Sequence, residues 1–292
     1  MTLDIIVPHY KEDTKTLMTA LSSIDNQVNH KFKTHITVVT DLGGVEIDKE
    51  AIKKVIKMPI TFITTDKHSG PGYARQYAMN KTTGDYIIFC DSDDMFASPF
   101  AFCYFYDCLK KDPDLEIIFT AYLEEYISDT IQYRQKDDDI SITTLHGKMY
   151  KRKFIYDNNI TFTNWMMGED GAFNFKAICF AKKVIFNDDA PTYIWRFNPK
   201  SLTHSNTKFV NMSVNLRAFL ESIETFEYFF DVIINEKNSQ ITWRLIPSFI
   251  NSLQQQLVLL KQIPNLDEEA VSYIQRTEER LNQCREKYKR YL

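Results

Sequence analysis

The first 123 residues alternate two kinds of segment: short apolar runs rich in β-branched residues, and longer runs with apolar residues at helical spacing. The strand candidates are Leu3–Pro8, His35–Thr40, Ile60–Thr64 and Tyr86–Cys90. The helical patterns between them are Thr14–Asn26, Asp48–Lys57 and Gly72–Lys81. This alternation predicts an α/β fold, in which helices flank a mostly parallel sheet. Ligands of such sheets bind at the carboxyl ends of the strands, so the polar residues that follow each strand are candidates for function.

The pattern changes after this first segment. Residues 115 to 123 read as one further strand, and residues 124 to 206 are less regular, with a predicted charged turn at Lys136–Asp139 and predicted helices at Lys148–Asn158 and Glu169–Ala181. From Thr207 the spacing is helical to the end. We therefore predict an α/β domain over residues 1–206, with halves 1–123 and 124–206, and an all-helical region over 207–292. The apolar stripes of that region predict packing on the α/β domain or on a second copy in a homo-oligomer.

Charge and composition narrow the class of protein. The net charge is −4 and the isoelectric point about 5.9, which disfavours a nucleic-acid partner, because such proteins usually carry a basic field. The five cysteines form no CxxC pair and are expected to be reduced thiols. The sequence predicts neither a signal peptide nor a membrane span. We expect a cytoplasmic protein, with peripheral attachment to a membrane left open.

The strongest chemical signal is the cluster Asp91-Ser92-Asp93-Asp94, which directly follows the apolar strand YIIFC. Three crowded carboxylates repel one another unless a cation neutralises them. Carboxylate oxygens suit a hard divalent ion, so the cluster predicts a Mn²⁺ or Mg²⁺ site, and such an ion recruits a diphosphate. The tetrapeptide alone is equally compatible with an acidic turn or a helix cap.

Two further motifs lie at predicted helix starts. Ser69-Gly70-Pro71-Gly72 holds two of the chain's eight glycines between a strand and a helix, where backbone can approach an anion closely. Gly168-Glu169-Asp170-Gly171 places two acids at the start of an apolar helix. These acids either complement the helix dipole or include a general base beside an acceptor pocket.

Taken in order, these motifs resemble those of the family 2 glycosyltransferases with a GT-A, Rossmann-like fold. The resemblance covers residues 1–206 and is carried by IIVPHYKED, VVTDLGG, HSGPGYARQYAMNKTTGDYIIFCDSDD, GKMYKRKF, GED and YIWRFNPKSLTH. It implies a metal-dependent, inverting enzyme that moves a sugar from a nucleotide-diphosphate donor to a hydroxyl of a glycan or other acceptor.

The resemblance also implies roles for individual residues. Asp170 matches the catalytic base, with Glu169 beside it. Asp93 matches the metal ligand of the DxD motif, and His204 is a candidate third ligand. Asp41 matches the acid that recognises the base, and since uracil has a ring N–H that cytosine lacks, a UDP-sugar is the expected donor. The other residues matched to the donor site are Pro8, Tyr10, Glu12, Gly70, Gly72, Arg75, Asp91, Ser92, Arg196 and Ser201.

The sequence departs from the family pattern at several positions. Lys11 replaces an asparagine, Thr40 replaces an acid, and His68 and Gln76 stand where asparagines are frequent. These departures bear on the identity of the donor more than on the fold. Two alternatives stay open at this point: a non-catalytic protein that binds nucleotide-sugars with the same fold, and a nucleotidyltransferase, which also uses paired acids and a divalent ion.

Overall fold

The computed structural model describes residues 1–136, 144–163, 168–187, 191–199 and 266–292, with scattered positions between 227 and 262. The chain divides into two compact units: the first comprises Met1–Trp165 and Glu169–Asn198, and the second comprises Met166–Gly168 and Pro199–Leu292. The predicted domain boundary after residue 206 lies outside the described residues and stays a prediction.

Eleven strands and seven α-helices are described. The strands are β1 (Thr2–His9), β2 (Lys33–Thr40), β3 (Ile60–Thr64), β4 (Tyr86–Phe89), β5 (Met95–Phe96), β6 (Ile117–Thr120), β7 (Tyr122–Ile127), β8 (Ile131–Lys136), β9 (Lys148–Lys151), β10 (Val184–Asn187) and β11 (Tyr193–Trp195). The helices are α1 (Thr14–Asp25), α2 (Lys49–Val55), α3 (Gly70–Met79), α4 (Ala101–Lys111), α5 (Arg152–Asp157), α6 (Glu169–Phe180) and α7 (Glu268–Tyr288).

The first unit is built on a seven-stranded sheet in the order β10-β6-β9-β4-β1-β2-β3. Six of these strands run in one direction, and β9 alone is antiparallel to its two neighbours, β4 and β6. Seven of the eight residues of β1 are buried, as expected for a central strand covered on both faces. A second sheet has the order β5-β11-β7-β8. The predicted mostly parallel α/β architecture is therefore confirmed.

The helices of this unit form where the sequence supplies a cap and an apolar face. Asp13 caps α1 by accepting a hydrogen bond from the Thr16 amide, and Asp48 does the same for α2 through Ala51. The buried face of α1 carries Leu17, Ala20, Leu21 and Ile24. These side chains belong to a core shared with alternate residues of β1 and β2, because one face of each strand turns toward the helix layer.

The prediction of a helix over Lys148–Asn158 is wrong in its first turn. Lys148–Lys151 forms strand β9, and α5 begins only at Arg152. Although it is a lysine, Lys148 is 0% exposed, and its ammonium donates to the His146 carbonyl. Hydrogen bonding to strands on both sides overrides the local helical pattern, which is a tertiary effect.

One smaller prediction also needs correction. The single strand expected over residues 115 to 123 is broken at Ala121 into β6 and β7, which belong to different sheets. Residues 137–139 of the predicted charged turn lie outside the described residues, so the turn stays a prediction. Strand β8 is exposed, ends at Lys136 and pairs with β7, and the sequence analysis did not predict it. Polar alternation on an exposed strand carries little signal, which explains the omission.

Arg152 joins the amino ends of the central strands through a buried ion pair. Its Nη2 donates to Asp4 Oδ2 at 2.7 Å, and its Nε donates to the Gly84 carbonyl at 2.5 Å. The Gly84 amide donates to the same carboxylate oxygen at 2.6 Å. A Cβ at position 84 would lie 2.7 Å from that oxygen, so glycine permits the close approach.

We expect Arg152→Met to lower the free energy of unfolding by about 3 kcal/mol, because Asp4 would remain buried without its cation. Urea denaturation measures the difference. The control is Lys153→Met, since Lys153 is exposed and pairs with Asp157 on its own helix, so its loss should leave stability close to wild type. Equal stabilities for the two variants would contradict this account.

Candidate active site

One edge of the large sheet gathers the polar residues singled out in the sequence. The strands β1, β2, β3 and β4 all end at this edge, because they are parallel. Strand β9 is antiparallel, so its beginning lies there instead. The edge therefore receives Tyr10, Asp41 and Asp91 from strand ends and His146 from the segment that precedes β9.

Arg75 on α3 links two of the predicted motifs. Its Nη2 donates to Asp91 Oδ1 at 2.6 Å, and its Nη1 donates to Glu169 Oε1 at 2.8 Å. The guanidinium is only 6% exposed. Although burial disfavours a charged arginine, the carboxylates of Asp91 and Glu169 raise the pKa of Arg75 above its usual range. One buried cation thus holds the acid after β4 against the first acid of α6.

Gly72 makes this arrangement possible. A Cβ at that position would lie 2.6 Å from Cγ of Glu169 and 2.9 Å from the Thr163 carbonyl oxygen. The space beside this glycine is thus taken by the side chain that pairs with Arg75. Gly70 has φ of +83°, in the left-handed region that glycine adopts without strain, and it starts α3.

The four residues of the acidic cluster differ in environment. Asp91 is 32% exposed, and although burial disfavours its charge, the guanidinium of Arg75 keeps its pKa well below the usual range. The Ser92 hydroxyl donates to Glu12 Oε2 at 2.9 Å. Asp93 accepts a hydrogen bond of 2.8 Å from the Asn198 amide group. Burial and then neighbouring acids raise the pKa of Asp93.

Asp94 is buried and fastens the cluster to the second sheet. It accepts a hydrogen bond from the Tyr193 hydroxyl at 2.8 Å and another from the backbone amide of Arg196 at 2.8 Å. The Tyr193 oxygen in turn accepts from the backbone amide of Asp91 at 3.0 Å. Burial, followed by the charges of Asp93 and Asp91, raises the pKa of Asp94 well above its usual value.

The sequence analysis did not identify His146, which the structure adds to the cluster. Its Nε2 lies 3.6 Å from Asp94 Oδ2 and 3.9 Å from Asp91 Oδ2. The ring stacks on Tyr193, with centroids 4.8 Å apart. Candidate ligand atoms of Asp91, Asp94 and His146 all lie within 4.8 Å of one another. In the sequence, the one local signal for this histidine is the glycine that follows it, Gly147. In the structure this glycine has φ of +65° and lies directly before β9.

The two acids of the GED motif differ in accessibility. Glu169 is buried against Arg75, whereas Asp170 is half-buried and accepts a hydrogen bond from the Gly171 amide at 2.7 Å. Burial, together with the adjacent charge of Asp170, raises the pKa of Glu169 to about 7 despite its arginine partner. Burial also raises the pKa of Asp170, while Arg75 opposes that rise.

Asp41 after β2 is almost completely buried and is surrounded by donors. Its carboxylate accepts hydrogen bonds from the backbone amides of Leu42 and Gly70 at 3.1 and 2.9 Å. The Thr65 hydroxyl donates to it at 3.0 Å, and His68 Nδ1 lies 2.7 Å from Oδ2. Asp41 therefore ties the loop before α3 to the end of β2.

The remaining predicted donor-site residues lie around this edge. Glu12 accepts from the backbone amides of Tyr10 and Lys11, so it shapes the turn after β1, and Pro8 lies within β1. Arg196 follows β11. Ser201 and His204 lie outside the described residues, so their predicted contacts with the diphosphate and metal stay predictions.

Comparisons with known proteins agree with this arrangement. A sequence model described as "Glycosyl transferase family 2" matches residues 4–167. The poly(ribitol-phosphate) beta-glucosyltransferase of Bacillus spizizenii is 24% identical over 66% of this chain and 32% of its own length. The teichoic acid poly(glycerol phosphate) polymerase of Staphylococcus epidermidis is 25% identical over 86% of this chain and 32% of its own length. The chain thus spans about a third of the length of these curated relatives.

Solved structures share the fold. A crystal structure of S. aureus TarS in complex with UDP-GlcNAc has a TM-score of 0.63 at 16% identity, covering 98% of this chain and 92% of that chain. The mannosyltransferase PcManGT from Pyrobaculum calidifontis, in complex with GDP-Man and Mn²⁺, has a TM-score of 0.54 at 13% identity, covering 98% and 86%. Among the described helices, none has the length and apolar character needed to cross a membrane.

The family model covers more than half of the chain, and its matched segment contains the acidic cluster and the Arg75 helix. This match favours a glycosyltransferase over the nucleotidyltransferase that the sequence motifs left open. The chain belongs to glycosyl transferase family 2 and has the GT-A fold.

Proposed function

We propose that this enzyme transfers a sugar from a UDP-sugar to a hydroxyl acceptor with inversion, with Asp170 as general base. The observation that carries the proposal is the Arg75 bridge, which sets the acidic cluster after β4 beside the two acids that start α6. A site for the leaving diphosphate and a site for proton abstraction are thereby adjacent. An inverting transfer needs both, and it needs no enzyme nucleophile.

The two acids of α6 have different roles in this proposal, because their surroundings differ. Asp170 keeps partial access to solvent, so it can reach an acceptor hydroxyl, while Glu169 is committed to Arg75. As the hydroxyl oxygen attacks the anomeric carbon, its proton passes to an Asp170 oxygen. The bond from that carbon to the diphosphate oxygen breaks, and its electron pair leaves with UDP. Attack opposite to the leaving group inverts the configuration.

We expect Asp170→Asn to reduce transfer by about two to four orders of magnitude, because a general base contributes that much to the rate. The substitution keeps the size of the side chain, so donor affinity should stay close to wild type. Glu169→Gln should reduce transfer less, since it weakens the link to Arg75 without removing the base. Initial rates and donor affinity measured for both variants decide the matter. Near wild-type transfer by Asp170→Asn would refute the proposed base.

The residues of the acidic cluster fit a divalent cation. Burial raises the pKa values of Asp93 and Asp94, and repulsion from nearby carboxylates raises them further. A bound cation would relieve that repulsion. Asp93, half-buried and at the end of the turn, is the proposed principal ligand. Asp91, Asp94 and His146 are close enough together to supply further oxygen and nitrogen donors, a set that suits Mn²⁺ as well as Mg²⁺. A bound ion of this kind neutralises charge on the leaving diphosphate.

Removal of divalent cations with excess EDTA should abolish transfer, and Mn²⁺ or Mg²⁺ should restore it. Asp93→Asn should lower both transfer and the affinity for Mn²⁺ measured by calorimetry, because a charged ligand is lost. Asp157→Asn is the matched control and should change neither quantity, since that aspartate is exposed and pairs with Lys153 on its own helix. Full activity in EDTA would exclude a metal-dependent mechanism.

The choice of a UDP-sugar rests on Asp41 and Tyr10. The carboxylate can accept a hydrogen bond from the ring N–H of uracil, and the aromatic ring beside it offers a surface for stacking. The TarS complexes with UDP-GlcNAc and with UDP are consistent with this choice. For the acceptor we propose a hydroxyl-bearing glycan or polyol polymer, in line with the names of the two curated relatives.

The affinity for UDP should exceed the affinity for CDP by at least tenfold. Cytosine presents no ring N–H to Asp41, so the complex with CDP lacks a charge-assisted hydrogen bond. Calorimetric titration of both nucleotides in the presence of Mn²⁺ measures the ratio. GDP is the comparison for donors with a larger base. Tight binding of GDP or CDP without binding of UDP would overturn the assignment of the donor.

A further inference from the structure

The His68 imidazole makes two contacts that a pyrimidine base would need. Its Nδ1 lies 2.7 Å from Asp41 Oδ2, and its ring stacks on Tyr10 with centroids 4.8 Å apart and an interplanar angle of 20°. A planar heteroaromatic ring therefore directs a nitrogen at a buried carboxylate while lying against an aromatic face. Uracil would use its N3–H and its ring face in the same way.

The other donors to Asp41 are part of the fold. The amides of Leu42, Ser69 and Gly70 belong to the backbone. The Thr65 hydroxyl is buried, and its one proton lies between Asp41 and the Lys67 carbonyl. His68 differs, because its side chain is 47% exposed whereas Asp41 is 3% exposed. Among the donors to this carboxylate that the structure describes, His68 is the one that can move away by side-chain rotation alone.

We propose that His68 competes with the base of the donor for Asp41 and Tyr10, and thereby sets the affinity and base selectivity of the donor site. This inference rests on the proposed role of Asp41 in donor binding. The base enters as the imidazole rotates toward solvent, and one hydrogen bond to a charged acceptor and one stacking contact are exchanged for equivalent ones. Part of the gross binding energy is therefore spent on displacing the imidazole.

The competition predicts a gain of affinity when the imidazole is removed. His68→Ala should bind UDP about tenfold more tightly than wild type, the magnitude expected when a ligand no longer displaces a hydrogen bond to a charged group. CDP should gain less, because cytosine benefits only from the freed stacking surface. Inorganic pyrophosphate should bind equally to both proteins, since it does not reach Asp41.

Calorimetry with UDP, CDP and pyrophosphate in the presence of Mn²⁺ tests the proposal. His35→Ala is the matched control and should leave all three affinities unchanged. His35 is hydrogen-bonded to Thr61 and lies near the amino end of β2, at the opposite end of the strand from Asp41. His68→Phe, which retains a ring but has no N–H for Asp41, should fall between wild type and His68→Ala. Thermal midpoints close to wild type would show that the variants are folded.

Unchanged or weaker binding of UDP by His68→Ala would overturn the competition and would instead mark His68 as inert or as a contact of the base. The proposed donor can fail separately. If wild type binds GDP and not UDP, the donor assignment is wrong, and the competition is then measured by the gain of GDP affinity, since guanine also has a ring N–H. Absence of nucleotide binding in every variant would overturn both.

Discussion

The buried guanidinium of Arg75 is the interaction on which the rest of the active site depends. It pairs with Asp91 after β4 and with Glu169 at the start of α6, two residues that are far apart in the chain. Burying a cation in this way is costly unless it is paired and hydrogen-bonded, and these two acids supply the pairing. A single side chain thus holds the acid after β4 next to the acid that starts α6. Gly72 leaves the space that the Glu169 side chain occupies.

The acidic cluster is supported from a second direction by the antiparallel strand β9 and the small sheet. Because β9 runs against its neighbours, His146, which lies just before it, is at the carboxyl ends of β4 and β6. Tyr193 of β11 then donates to Asp94 and accepts from the Asp91 amide. The three crowded carboxylates thus have different partners: Arg75 for Asp91, Asn198 for Asp93, and Tyr193 for Asp94.

Asp41, at the end of β2, has a structural role in the fold. Its carboxylate closes the loop between β3 and α3 by accepting from the backbone at the start of that helix. In the proposed donor site, the exposed His68 and the face of Tyr10 lie beside this carboxylate, which already has hydrogen-bond partners. A position that differs from the family pattern in sequence therefore lies where it can influence donor choice.

The sequence by itself determined the family, the alternation of β1 to β4 with α1 to α3, and the identity of the acids at the strand ends, because hydrophobic periodicity and short motifs are local properties of the chain. Strand β9 and the break between β6 and β7 were decided by pairing between distant strands, which local pattern does not encode. The same holds for the Arg75–Glu169 pair, for His146 in the cluster and for His68 on Asp41. Each of these contacts joins residues that only the packed sheet brings within a few ångströms, so the tertiary structure alone specifies them.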